Sequence, residues 1–156
     1  MRKRITGSDV EQPEQKQRMW LKLIGMVQAE LTSEDEVYPI ESALIEGGLG
    51  WRAAESGEQR IRLLFDQPKN VEYIRLIFHE EELQRTQEFV LRWSPDGGLS
   101  YHDIARQQYN FSSPDSTREL EDYSVDLHGV TALELCITPD ISRGAARATL
   151  AEWRVA

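Results

Sequence analysis

The chain has 156 residues, of which 40% are hydrophobic and 29% charged, and its formal net charge is -9. This composition is typical of one globular domain with a hydrophobic core. The acidic balance disfavours nucleic acid and anionic membranes as partners, since the one tight basic cluster is Arg2-Lys3-Arg4.

The single cysteine, Cys136, lies in an alternating run, which indicates a small buried side chain rather than a reactive thiol. The basic N-terminus is not followed by the apolar stretch of a secretory signal. No run of about 18 apolar residues is present to span a bilayer. These features predict a cytoplasmic location without membrane insertion.

Residues 1–28 are predicted to be an N-terminal extension, and residues 29–156 the folded domain. The extension begins as a polar tail. From Gln15 to Gln28 its apolar residues have helical spacing, but Gly25 weakens a helix interior, so this part is either a short helix or irregular. The run VQAELTS, which starts at Val27, favours a strand.

A glycine-rich loop at residues 46–50 follows and ends at Trp51. Its three glycines permit positive φ or a close backbone approach. Beyond it, residues 60–65 alternate apolar and polar side chains, and residues 66–70, which include Pro68, are predicted to be a turn.

The clearest strands lie between residues 71 and 93. Ile74, Leu76 and Phe78 alternate with neighbours predicted to face the other way, and Phe89, Leu91 and Trp93 repeat the pattern. Such alternation predicts two half-buried strands. Residues 94–98, with the sequence SPDGG, then supply a tight turn.

Weaker strand patterns cover residues 101–108, 119–127, 133–137 and 150–155. About eight short strands at regular spacing predict an all-β, antiparallel jelly-roll sandwich with a short N-terminal extension, helical or disordered. In this pattern Trp93 and Trp153 are predicted to be core residues.

No catalytic constellation stands out, so the chain is predicted not to be an enzyme. The three histidines are far apart and have no metal-ligand spacing. Ser100, His102 and Asp103 lie within four residues of one predicted strand, and the chain has no GxSxG elbow.

Four segments together resemble the galactose-binding-like jelly roll, the fold of discoidin and coagulation-factor type C domains and of many carbohydrate-binding modules. The resemblance covers residues 29–156. The segments are AELTSEDEVYPIESALIEGGLGW (29–51), RIRLLFDQPKNVEYIRLIF (60–78), FVLRWSPDGG (89–98), and ALELCITPD (132–140) followed by ATLAEWRV (148–155).

The resemblance implies a non-catalytic ligand-binding module that binds a carbohydrate or glycan-like ligand at loops at one end of the sandwich. Sugar recognition needs an aromatic ring with planar hydrogen-bonding groups, and Trp51 has a second interpretation as a core residue. The alternative function is an intracellular protein–protein interaction or scaffolding module with no sugar ligand. The candidate ligand-binding residues are Trp51, Arg52, Arg85 (expected in the loop after the third strand), Gln108 and Asn110.

The resemblance also implies a structural calcium ion, with Glu46 and Glu152 at the positions of the family's loop Asp and C-terminal Glu. Calcium takes several oxygen ligands from carboxylates and backbone carbonyls. Glu46 is one methylene longer than the usual Asp, and the loop to Trp51 is short. A metal-free loop held by hydrogen bonds and glycine turns is therefore favoured, and no other cofactor is predicted.

Overall fold

The computed structural model describes residues 19–156, and the predicted polar tail and the start of the segment from Gln15 lie outside the described residues. Two short 3-10 turns occur, at Leu23–Gly25 and Ile40–Ala43, and no helix within residues 19–156 could span a membrane. The strands are β1 (Val27–Leu31), β2 (Trp51–Ser56), β3 (Gln59–His79), β4 (Arg85–Ser94), β5 (His102–Phe111), β6 (Arg118–Thr138), β7 (Arg147–Leu150) and β8 (Glu152–Val155).

The antiparallel sandwich is built around two long strands, β3 and β6, which pair with each other over most of their length. The first half of β3 pairs with β1, and the second half of β6 pairs with β4, which pairs with β5. These segments form the front layer. The second half of β3, which also pairs with β8, and the first half of β6 form the back layer. A short pair, β2 with β7, lies beside them.

The predicted turn at residues 66–70 is wrong, because these residues continue β3 from the front layer into the back layer. The pairing of β3 with β6 shifts register here, between Leu64 and Tyr73. Pro68 has no N–H to donate and is tolerated where the ladder is interrupted. Opposite it, Gly129 adopts a φ of 67°, and its N–H donates to Asn70 Oδ1 over 3.1 Å. The strands predicted at 119–127 and 133–137 are thereby one strand, β6.

The predicted alternation is confirmed in the core. Ile74, Leu76 and Phe78 of β3 are fully buried, as is Trp153 of β8. Trp93 is only half-buried: its ring packs against the core on one side and lies 5.3 Å from the His102 ring on the other. The all-β fold thus follows from the period-two pattern.

The packed region includes residues before position 29. Leu23 belongs to the hydrophobic core, and the Leu21 N–H donates to the Val155 carbonyl over 2.7 Å. The N-terminal segment is therefore held against the last strand, and β1 begins at Val27.

Of the six buried polar residues within 19–156, three form a buried polar cluster: Arg85 and Gln87 of β4, and Glu119 of β6. Arg85 Nη1 donates to Gln87 Oε1 over 3.3 Å, and Gln87 Nε2 donates to Glu119 Oε1 over 3.1 Å. Burial is the main cause that raises the pKa of Glu119 to about 8, and the nearby Glu121 carboxylate raises it further.

The raised pKa predicts that the chain becomes less stable as the pH rises. Because the pKa of folded Glu119 exceeds its ordinary 4.5, folding takes up a proton between about pH 4.5 and 8, and stability falls through that window. Glu119→Gln stays neutral at every pH. We expect the free energy of unfolding of Glu119→Gln, taken relative to that of wild type, to rise by about 1–3 kcal/mol between pH 5 and pH 8. Urea denaturation of both proteins at each pH measures this difference. Parallel pH profiles for the two proteins would contradict this assignment.

Candidate functional site

A cleft of about 560 Å³ opens where β3 ends. The cleft is lined by the segment that leads into β2 together with the start of β2, by the loop that joins β3 to β4, and by strand β7. Its lining includes the side chains of Tyr38, Leu49, Arg52, Glu81, Glu82, Leu83 and Arg147.

The β2–β7 pairing places two of the predicted ligand-binding residues at this cleft. Trp51 pairs with Leu150 and Arg52 with Thr149, so strand alternation turns Trp51 inward and Arg52 outward. Trp51 is 2% exposed, and its Nε1 donates to the Ser33 carbonyl over 3.2 Å. Its interpretation as a core residue is thus confirmed, and it borders the cleft without presenting a ring face to it.

Beside Arg147, which pairs with Asp35 over 3.7 Å, Arg52 is the second exposed arginine of the cleft. Its backbone is fixed by two hydrogen bonds: its N–H donates to the Tyr38 carbonyl over 3.1 Å, and its carbonyl accepts from the Asp35 N–H over 2.9 Å. These bonds hold the turn that brings Tyr38 to the cleft. The Arg52 guanidinium makes no hydrogen bond or ion pair with any residue in 19–156, which leaves its donors free for a ligand.

The opposite wall is the loop at residues 80–84, whose turn is organised by Glu80. The Glu80 Oε2 accepts from the backbone N–H groups of Glu82 (3.1 Å) and Leu83 (3.2 Å). Burial raises the pKa of Glu80, but hydrogen bonds from Arg85 and these two N–H groups outweigh it, so the pKa lies below its usual value. Glu80 is therefore a charged acceptor that shapes the loop.

Two leucines give the cleft exposed apolar surface. Leu49 is 76% exposed and Leu83 is 50% exposed, and they belong to opposite walls. Sequence reasoning missed both residues. The one available signal was an apolar side chain inside an otherwise polar or glycine-rich loop, which is a weak indication by itself.

The structure corrects the predicted position of Arg85. It is the first residue of β4 rather than a loop residue, and its side chain is 0% exposed. Its Nε donates to Glu80 Oε1 and its Nη1 to the Pro139 carbonyl, both over 2.7 Å, and the guanidinium lies 4.7 Å from the centre of the Phe111 ring. Arg85 does not line the cleft.

Gln108 and Asn110 lie on β5, apart from the cleft. Both are exposed, and both are engaged across the strand pair: Gln108 Nε2 donates to Glu88 Oε2 over 3.3 Å, and Asn110 Oδ1 accepts from the Thr86 hydroxyl over 2.6 Å. The structure therefore brings Trp51 and Arg52 together and separates them from the other predicted residues. A ligand contact by Gln108 or Asn110 stays a prediction.

Glu46 and Glu152 do not belong to a cluster of carboxylates that could hold a calcium ion. Glu46 is exposed, and Glu152 lies in β8 opposite Ile77. Within residues 19–156 no group of three or more His, Cys, Asp and Glu side chains is arranged to hold a metal ion, whereas calcium takes about six to eight oxygen ligands.

The loop is instead closed by protein contacts. Glu34 Oε2 accepts from the Ile40 N–H over 2.9 Å, and the Gly50 N–H donates to the Ser42 carbonyl over 3.2 Å. At Gly48 a Cβ atom would collide with the same carbonyl, so the close approach requires glycine. These contacts favour the metal-free interpretation of the loop.

No protein-family model matches the sequence, and no curated protein matches it. Solved structures do match the chain. Three of them are less than 20% identical to it, so the likeness concerns the fold.

A CBM32 from Clostridium perfringens in complex with GalNAc-β-1,3-galactose superposes with a TM-score of 0.64 at 18% identity, over 88% of this chain and 99% of that one. The family 32 CBM of C. perfringens NanJ in complex with galactose gives 0.58 at 17% identity, over 87% and 96%. Chitosan-binding module 1 from a chitosanase/glucanase of Paenibacillus sp. IK-5 gives 0.60 at 16% identity, over 87% and 98%. These matches confirm the predicted galactose-binding-like jelly-roll fold.

Proposed function

We propose that the chain is a non-catalytic carbohydrate-binding module whose ligand lies in the cleft beside Arg52. The observation that carries the proposal is an unpaired guanidinium next to exposed apolar side chains, Leu49 and Leu83, in one concave site. The fold supports it, because two of the compared structures are complexes with galactose or a galactose-containing sugar and the third is named for chitosan binding.

The chemistry of the cleft suits a sugar. A pyranose ring has an apolar face and an edge of hydroxyl groups, so it needs apolar contact and planar polar groups together. Leu49, Leu83 and the Tyr38 ring supply the contact, Arg52 supplies donors, and the exposed carboxylates of Glu81 and Glu82 supply acceptors.

The residues that could be assembled into a Ser–His–Asp set are engaged elsewhere. Ser100 donates its hydroxyl to Asp96 Oδ2 over 2.6 Å, Asp103 accepts from Arg92 over 2.7 Å, and the His102 ring lies against Trp93. This supports the non-catalytic part of the proposal.

We expect Arg52→Ala to weaken sugar binding by about 10-fold or more and to leave the melting temperature unchanged, because a hydrogen bond to a charged group contributes about 1.5–3 kcal/mol and this side chain is exposed. The measurement is isothermal titration with galactose, GalNAc-β-1,3-galactose and chitosan oligomers. Arg60→Ala, at an exposed arginine outside the cleft, is the matched control. A wild-type chain that binds none of these sugars, or an Arg52→Ala variant that binds as well as wild type, would contradict the proposal.

A protein-interaction module is the alternative, and one observation favours it. A second groove of about 550 Å³ is lined by exposed apolar side chains, including Met19, Ile24 and Ile45. Exposed apolar surface of this kind often marks a contact with another protein. Failure to bind any sugar, together with loss of a specific partner on Ile24→Glu, would favour this function over carbohydrate binding.

A further inference from the structure

One carboxylate connects the interior of the sandwich to the wall of the cleft. Glu80 Oε1 accepts from Arg85 Nε over 2.7 Å, and Oε2 accepts from the N–H groups of Glu82 and Leu83. Both oxygens are therefore used, one toward the core and one toward the loop. We call this arrangement of Arg85, Glu80 and the two N–H groups the loop clamp.

The core side of the loop clamp is anchored firmly. The Arg85 guanidinium is buried between the Phe111 ring and the Pro139 carbonyl, to which Nη1 donates. Pro139 belongs to the segment between β6 and β7, and that segment is tied to β4 by a bond from the Ile141 N–H to the Thr86 carbonyl over 2.9 Å. Since the anchor is packed on several sides, it does not follow movements of the loop.

The loop side has few other restraints. The loop starts at Glu80, whose N–H donates to the Thr117 carbonyl, and it ends where Arg85 pairs with Phe111. Between these points, the side chains of residues 81–84 are exposed. The hydrogen bonds described for residues 81–84 are the two that Glu80 accepts. Removal of the Glu80 carboxylate therefore takes away both hydrogen bonds described for residues 81–84, and this wall is expected to open before the strands do.

From these contacts we infer that Arg85 and Glu80 are positioning residues for ligand binding, and that the loop clamp holds the Glu82 and Leu83 side chains opposite Arg52. The inference rests on the proposed function, since it assumes that the ligand occupies the cleft. It also gives Arg85 a role that needs no contact with the ligand. A preorganised wall binds a ligand more tightly, because the loop has already lost its conformational entropy on folding and does not lose it on binding.

The test uses Glu80→Ala, with Gln84→Ala as the matched control, since Gln84 lies in the same loop but outside the cleft lining. Glu80→Ala leaves the buried Arg85 guanidinium without its carboxylate, so urea denaturation first establishes that the variant is folded, and Glu80→Gln serves as a second variant that keeps an oxygen acceptor. Two quantities are measured at 25 °C: amide hydrogen exchange at Glu82 and Leu83, and the dissociation constant for the sugar that binds the wild-type chain.

We expect Glu80→Ala to speed exchange at these two amides by about 10-fold or more, beyond the change that the lower stability of the variant causes at the strand amides, and to raise the dissociation constant by about 5- to 20-fold. Glu80→Gln, which keeps an oxygen acceptor for the N–H groups, should recover part of the affinity. Gln84→Ala should change neither quantity.

Faster exchange at Glu82 and Leu83 with an unchanged dissociation constant would overturn the positioning role and leave the proposed function standing. Unchanged exchange would overturn the loop clamp itself. If the wild-type chain binds no sugar, the proposed function fails and the positioning role fails with it, a result distinct from the other two.

Discussion

Replacing Arg85 by alanine is expected to lower the free energy of unfolding by about 3–5 kcal/mol. The side chain is 0% exposed and that of its partner Glu80 is 14% exposed, so the ion pair is largely removed from water. Truncation leaves a desolvated carboxylate without its partner and the Pro139 carbonyl without its donor. From the sequence, an exposed loop position would have made the same substitution nearly neutral.

The measurement is urea denaturation of Arg85→Ala beside Arg106→Ala. Arg106 also pairs with a glutamate, Glu88, but it is 57% exposed, and surface pairs of this kind contribute about 0–1 kcal/mol. The Arg85→Ala, Glu80→Ala double variant should recover part of the loss, because it removes the uncompensated charge. If Arg85→Ala and Arg106→Ala lower the free energy of unfolding by equally small amounts, the buried Arg85–Glu80 pair does not stabilise the fold.

Replacing Trp153 by alanine is expected to cost about 3–5 kcal/mol, since the side chain is fully buried and truncation leaves a cavity. Trp153 lies on β8 opposite Leu76 of β3, so the cavity opens in the back layer beside the core. Thermal or urea unfolding gives the change directly.

Two variants test the cause of the Trp153 effect. The Trp153 Nε1 is buried and has no hydrogen-bond partner among residues 19–156, so Trp153→Phe removes no hydrogen bond and should cost less than about 2 kcal/mol. Trp93→Ala should also cost less than Trp153→Ala, because Trp93 is half-buried. If Trp153→Ala lowers the free energy of unfolding by less than Trp93→Ala does, the burial of Trp153 in the back layer is contradicted.

The strands could be predicted where burial on one face alone decides the residue types. Ile74, Leu76 and Phe78 alternate because one side of β3 faces the core, and that pattern is visible in the sequence. The turn at residues 66–70 could not be excluded in the same way. Pro68 and its polar neighbours have turn propensity, and pairing with the distant residues of β6 overrides it.

The candidate site was predictable only in part. Arg52 follows a residue that alternation turns inward, so its outward direction is encoded locally. Arg85 is predicted in the loop after the third strand, and the two groups that enclose its guanidinium, the Phe111 ring and the Pro139 carbonyl, are distant in sequence. The strand predicted at residues 101–108 ends at Gln108, whereas β5 continues to Phe111 and keeps both Gln108 and Asn110 on the sheet.

The sharing of β3 and β6 between the two layers governs how the chain folds. Their pairing joins Gln59 to Ile137 and His79 to Arg118, so long stretches of intervening chain must close before the layers gain their hydrogen bonds. The β4–β5 hairpin, in contrast, joins near neighbours in sequence and has little such cost. Because neither layer can detach without breaking strands that the other layer needs, unfolding is expected to be a single cooperative transition.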